Sequence, residues 1–175
     1  SDLLASILRE DQIPYMHRVI MSRERAEYRR FSREPAGANV DLVALVDGLN
    51  LPHELQTATD AFLLDFEPSY LAALGASVEV QRRSEAAQWT LSELVFALRN
   101  TDDENQQLAI RHEMAVVRDR VGRDRAVRSE QLIRVITTGL ADLRQILPPE
   151  HMAVVDERFR REAYPRIYPD DGSAE

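Results

Sequence analysis

Residues 101–149 constrain the fold more than any other stretch. Apolar residues at Ile110, Met114, Val117 and Val121 recur at alternating spacings of four and three, and a similar seam resumes at Leu132, Ile136, Leu140 and Leu143. No proline interrupts the run until Pro148 and Pro149. Such spacing puts one apolar stripe on a helix, in the manner of a coiled coil. Thr101 followed by Glu104 predicts a capping box at its start, in which hydroxyl and carboxylate satisfy two amide donors reciprocally. At ~1.5 Å per residue, a helix reaching Ile146 spans more than about 60 Å, too long for a small compact monomer. The expectation is that it bends at Gly122 or packs Leu132, Ile136, Leu140 and Leu143 against a partner, giving a homodimer.

The rest of the chain is also read as helix. Residues 3–33 form a first segment, broken or restarted at Pro14, with Leu4, Leu8, Met16, Val19 and Ile20 at helical spacing. The stretch 32–39, SREPAGAN, reads as a linker to the remainder of a single helical domain covering 1–175. Asn39 is the expected N-cap of a short helix, VDLVALVDGL, ended by Gly48 and Pro52. Helical pattern then continues from Pro52 to Arg99, with Pro68 and Gly75 as expected kinks or a break. Pro149 suits the first turn of a last helix reaching Tyr164, and 165–175 reads as an extended tail. No strand pattern and no Gly-rich phosphate loop is present. The fold class is therefore all-α, with four to five helices including one long helix, as an elongated or kinked hairpin or bundle.

Two segments echo each other, LPHELQTATDAFLLDFEP at 51–68 and PPEHMAVVDERFRREAYP at 148–165. With Pro52 and Pro149 superposed, Leu55, Ala58, Phe62 and Phe66 match Met152, Val155, Phe159 and Ala163, and Pro68 matches Pro165. Apolar periodicity alone is what any amphipathic helix supplies. The repeated prolines add weight to related half-repeats, which predicts helix starts at Pro52 and Pro149 and comparable buried positions for Phe62 and Phe159.

On Leu51-Pro52-His53-Glu54-Leu55 and Leu147-Pro148-Pro149-Glu150-His151 the chain resembles the LTxxQ-motif family of extracytoplasmic stress proteins, the Spy and CpxP type of periplasmic chaperones and related metal-responsive sensors. Proline stands where that motif has threonine, and Gln56 falls one place late. Proline in the first turn is a tolerable replacement for a capping threonine. The resemblance implies a small all-helical protein that pairs into an antiparallel dimer outside the cytoplasm and holds unfolded polypeptide without ATP.

Composition excludes several chemistries. The chain has no cysteine, so thiol catalysis, cysteine-ligated zinc and disulfides are absent, and an oxidising compartment is tolerated. Its formal charge of −8 argues against a nucleic-acid partner. No apolar run approaches the ~18–20 residues needed to span a bilayer, and any signal peptide would precede Ser1. No serine sits in a Gly-x-Ser-x-Gly elbow and the four histidines show no base pattern, so the protein is not expected to be an enzyme.

Two binding chemistries remain. All 22 basic residues are arginine, and Arg25, Arg29, Arg30 and Arg33, interleaved with Tyr28 and Phe31, form a candidate site for an acidic, partly unfolded client. A second arginine-rich stretch at 118–134 pairs Asp119 with Arg123, Asp124 with Arg128 and Glu130 with Arg134 in acid-first i,i+4 order, which reads as a solvated face. His17 and Met21 share a helix face and, with His112, are candidate ligands for a transition metal, although methionines more often fill cores. No other cofactor is expected. The leading reading is a non-enzymatic, ATP-independent extracytoplasmic chaperone or stress-sensing protein. The alternatives are a structural or assembly subunit using the long helix as a permanent interface, and a His/Met metal sensor.

Overall fold

The computed structural model describes residues 12–31, 37, 38 and 40–168. Among them are five helices: α1 (Ile13–Phe31), α2 (Leu42–Asp47), α3 (His53–Arg99), α4 (Glu104–Ile146) and α5 (Pro149–Ala163). The all-α expectation holds. Leu4, Leu8, Arg33, Asn39 and the end of the tail lie outside the described residues, while Pro165, Arg166 and Ile167 form a turn.

α3 and α4 are long helices joined by a tight turn into an antiparallel hairpin. With 47 and 43 residues they are about 70 and 64 Å long. The sequence suggested that one long helix must bend or find another copy; instead α3 is its partner. α4 runs through Gly122 without interruption, and Leu132, Ile136, Leu140 and Leu143 are buried in a core shared with Phe66, Tyr70, Leu74 and Leu42 of the same chain. That seam is therefore corrected from a dimer interface to an intramolecular one.

α3 also runs unbroken through Pro68, which costs a helix interior about 3 kcal/mol or more when uncompensated. Packing holds the helix together through this point: Phe66, Glu67, Tyr70 and Leu71 on either side are buried. Gly75 is likewise interior to α3. It marks where α1 crosses closely, since a Cβ there would lie 3.4 Å from the Tyr28 ring. Gly139 does the same between the long helices, where a Cβ would lie 2.5 Å from a Phe66 ring carbon.

The caps differ from those read in the sequence. α4 is capped by Asp103, whose Oδ1 accepts from the amides of Asn105 and Gln106 at 2.8 and 3.2 Å. Thr101 Oγ1 instead bonds the Gln106 side chain at 2.8 Å. α2 is capped by Asp41, accepting from Ala44 N at 3.0 Å. Pro52 and Pro148 are the N-caps of α3 and α5, with φ/ψ of −57/150° and −56/155°. The two starts thus match Pro52 to Pro148, one residue away from the superposition on Pro149. Phe62 and Phe159 are both half-buried against the one core, but Pro68 is inside a helix whereas Pro165 follows the end of one.

Helices α1, α2 and α5 pack around the part of the hairpin far from its turn. α1 runs parallel to α3, with Arg18 bonded to Asp60, Arg25 to Glu67, and Tyr28 against Gly75. The result is a many-helix base carrying a two-helix arm. Buried α3 residues end at Ser84, and between there and Leu132 only Met114 of the long helices is buried.

Candidate functional site

An open groove of about 660 Å³ runs along the base, lined only by residues of α3 and α4. Its floor is apolar because small exposed residues, Ala58 and Ala61, leave the half-buried Phe62 open on this side, above the buried Phe66 on which Gly139 packs. Phe62 stacks on Phe66 with centroids 5.3 Å apart, and Phe66 on Tyr70 at 5.6 Å, which fixes the floor as a rigid surface. Val135 and Ile146 extend it along α4. The rim is acidic. Asp65 and Asp142 have no ion-pair partner among the described residues, while Arg134 is held by Glu130 at 2.9 Å. The lining has no nucleophile paired with a base. An apolar stripe has room to lie on Phe62 with cationic groups at the edges.

The arginines singled out in the sequence do something different from gripping a client. Arg25 is 5% exposed and pairs with the buried Glu67 of α3 and, at 3.0 Å, with Asp41 Oδ2. Arg29 donates to Glu162 of α5 at 2.8 Å, and the same carboxylate oxygen accepts from Asp41 N at 3.0 Å. One cluster thus joins α1, the α2 cap, α3 and α5. Burial works against the Arg29 charge, but the hydrogen bond to Glu162 and the nearby carboxylates outweigh it and raise its pKa. Burial also pushes the Tyr70 hydroxyl well above the usual tyrosine range, reinforced by Asp41 and opposed by Arg29; that hydroxyl donates to Val40 O at 2.8 Å. Arg25 and Arg29 are therefore corrected from client-binding to cross-linking residues: their charges are already matched inside the chain. Tyr28 is half-buried on Gly75 and donates to Glu24 at 2.9 Å. Only Arg30 and Phe31 of the described set stand exposed.

The three metal candidates do not meet. His17 is exposed and Met21 half-buried on α1, beside the part of α3 that holds Asp60, whereas His112 is exposed on the arm near the turn. Paired residues of the hairpin place His112 level with the stretch around Leu91, on the order of 45 Å along α3 from Asp60. His112 is therefore corrected out of any site containing His17 and Met21. No cluster of three or more His, Asp or Glu suited to a metal occurs among the described residues.

The sequence did not single out the groove, yet half of its signal was present. Ala58, Phe62 and Phe66 belong to the echoed apolar stripe, in which the sequence points to a buried Phe62. The missing information is that α4 meets α3 with Gly139 on the Phe66 ring, which buries Phe66 but leaves Ala58 exposed and Phe62 half-buried. No described helix is long and apolar enough to cross a membrane. No family model matches the chain, and neither a curated protein nor a solved structure is significantly similar to it.

Proposed function

We propose that the protein is a non-catalytic polypeptide-binding protein, an ATP-independent chaperone or stress-responsive binder that holds apolar, cationic segments in the α3–α4 groove. The observation that carries the reading is an open groove in which half-buried Phe62, stacked on Phe66, lies beside exposed Ala58 and Ala61 and is edged by exposed Asp65 and Asp142, which have no ion-pair partner among the described residues. Contiguous exposed apolar surface of this kind marks a site of interaction. The rim selects basic segments, as does the formal charge of −8. This moves the client from an acidic to a basic one, because the arginines that favoured acidic clients are engaged internally. The LTxxQ-like resemblance supports the same class of function, and a chain free of cysteine suits an extracytoplasmic setting.

The test fills the groove without touching the core. Ala58 and Ala61 are exposed on its wall, so Ala58→Arg and Ala61→Arg should leave folding intact while blocking the floor and cancelling the rim charge. Aggregation of an unfolded basic client, measured without nucleotide, should be slowed by the natural chain and not by the double variant. Equal activity of the two would remove the groove from the mechanism. Activity lost on adding a chelator would instead favour the metal-sensing alternative, and one helical partner held without exchange would favour the assembly subunit.

A further inference from the structure

Among the described residues, the most exposed large apolar side chains are on the arm. Trp89 is 75% exposed and Phe96 71% exposed, seven residues apart on α3 and so on one face, about 10 Å from each other. Ser84, Ala87, Leu91, Leu94 and Leu98, buried or half-buried, follow the three-four spacing of the seam toward α4. In that repeat Trp89 and Phe96 occupy the outermost position, opposite the seam, where a solitary hairpin carries polar residues. α1, whose Tyr28 packs on Gly75, ends before this stretch begins.

We propose that this face is the interface between two copies of the chain, paired antiparallel along their α3 arms about a two-fold axis level with Ser92 and Glu93. The face is self-complementary in that register. In an isologous pair each contact occurs twice with its partners exchanged. Trp89 then packs on Phe96 of the second copy. On one flank Glu85 meets Arg99. Arg99 has no ion pair among the described residues, and Glu85 is engaged only by the Gln81 side chain, at 3.1 Å. The other flank brings Glu93 against its own copy, the one unfavourable contact of the register. Four aromatic rings burying about 150–250 Å² each, with the flanking pairs, reach roughly 1,200 Å², the lower bound for a specific interface. The dimer is thus of moderate affinity and exchanges, and it leaves the base groove of each copy open.

Trp89 is the only tryptophan of the chain, so its emission reports the interface directly. Across about 1–100 µM, a blue shift of that emission should track the change from monomer to dimer in sedimentation. Trp89→Ser with Phe96→Ser, both at exposed positions, should give a monomer throughout with unchanged helical circular dichroism. Glu85→Arg and Arg99→Glu should each weaken the dimer about tenfold or more, and their combination should restore it. Glu93→Gln should tighten it about two- to fivefold. A chain that is monomeric throughout with constant Trp89 emission, a dimer that survives loss of both aromatics, or a charge-swapped double variant without recovery overturns the proposal.

Discussion

Removing Arg25 should destabilise the protein far more than a surface arginine would, and the structure sets the scale. Its side chain is 6% exposed, against 2% for Glu67 and 13% for Asp41. Arg25→Ala leaves Glu67 without its cation in a place water does not reach. Asp41 loses less, since its other oxygen still caps Ala44 N and Arg29 stays 3.7 Å away. Breaking a buried pair by deleting one member costs about 3–5 kcal/mol, a large part of the ~5–15 kcal/mol that holds a typical domain. For a chain of this size that lowers the melting temperature by roughly 10 °C or more. Arg25→Met combined with Glu67→Leu removes both charges while keeping volume, and should recover most of the loss. Urea titration followed by circular dichroism measures all three proteins. A cost below about 1 kcal/mol for Arg25→Ala would put the pair in the range of exposed ion pairs and refute its role as a lock. Weakened client binding at unchanged stability would return Arg25 to the client surface.

Gly139→Ala should cost about 1–3 kcal/mol, because Phe66 and Leu42 must yield to the new methyl group, whereas Gly122→Ala, whose Cβ meets nothing, should stabilise by about 0.5–1 kcal/mol; chemical denaturation reads both. Stability should fall above about pH 10, since Tyr70 has a raised folded pKa and its contribution is complete below the unfolded value and lost as pH rises through the folded one. A pH series of melting temperatures for the natural chain and Tyr70→Phe checks this, the variant showing the shallower alkaline decline. Amide exchange should be slowest at 63–78 and 132–143 and faster at 86–99 and 104–117, where two helices alone cover each other, with the arm gaining protection as concentration rises; uniform protection would argue against the division into base and arm.

The ends of the elements were largely legible. Ile146 ends α4 and Pro149 opens α5, because prolines and seam spacing are local signals. Partners were less so. The acids that neutralise Arg25 lie 16 and 42 residues away, and the one that neutralises Arg29 lies 133 residues away, so a linear reading sees unbalanced arginines beside aromatics. The cap of α2 shows the same limit: Asp41 serves through one oxygen while its other oxygen meets Arg25, a double use that no local pattern displays. The apolar seam 132–143 is legible in its spacing, but its cover is not: helix length alone points to another copy, whereas the stretch from Pro52 to Arg99 is equally long because Pro68 lies inside a helix.

The arm is what the base does not explain. Buried groups of α3 stop at Ser84 and those of α4 resume at Leu132, so the arm keeps helical structure through a seam in which only Met114 is well buried. Helices gain most of their stability in proteins from packing an apolar face, and small seam residues such as Ser84 and Ala87 contribute little of it. An arm so lightly held, bearing Trp89 and Phe96 on its solvent side, is destabilised by the exposure that a partner would remove. Association linked to folding makes stability depend on concentration. The arginine lock confines that dependence to the arm: α1, α2 and α5 stay tied to the base through Arg25, Arg29 and Glu162 whether or not the arms are paired. In the proposed dimer, opening and closing would therefore change the arm surface while the base groove keeps its shape, so that self-association and the proposed client binding would be separate within one short chain.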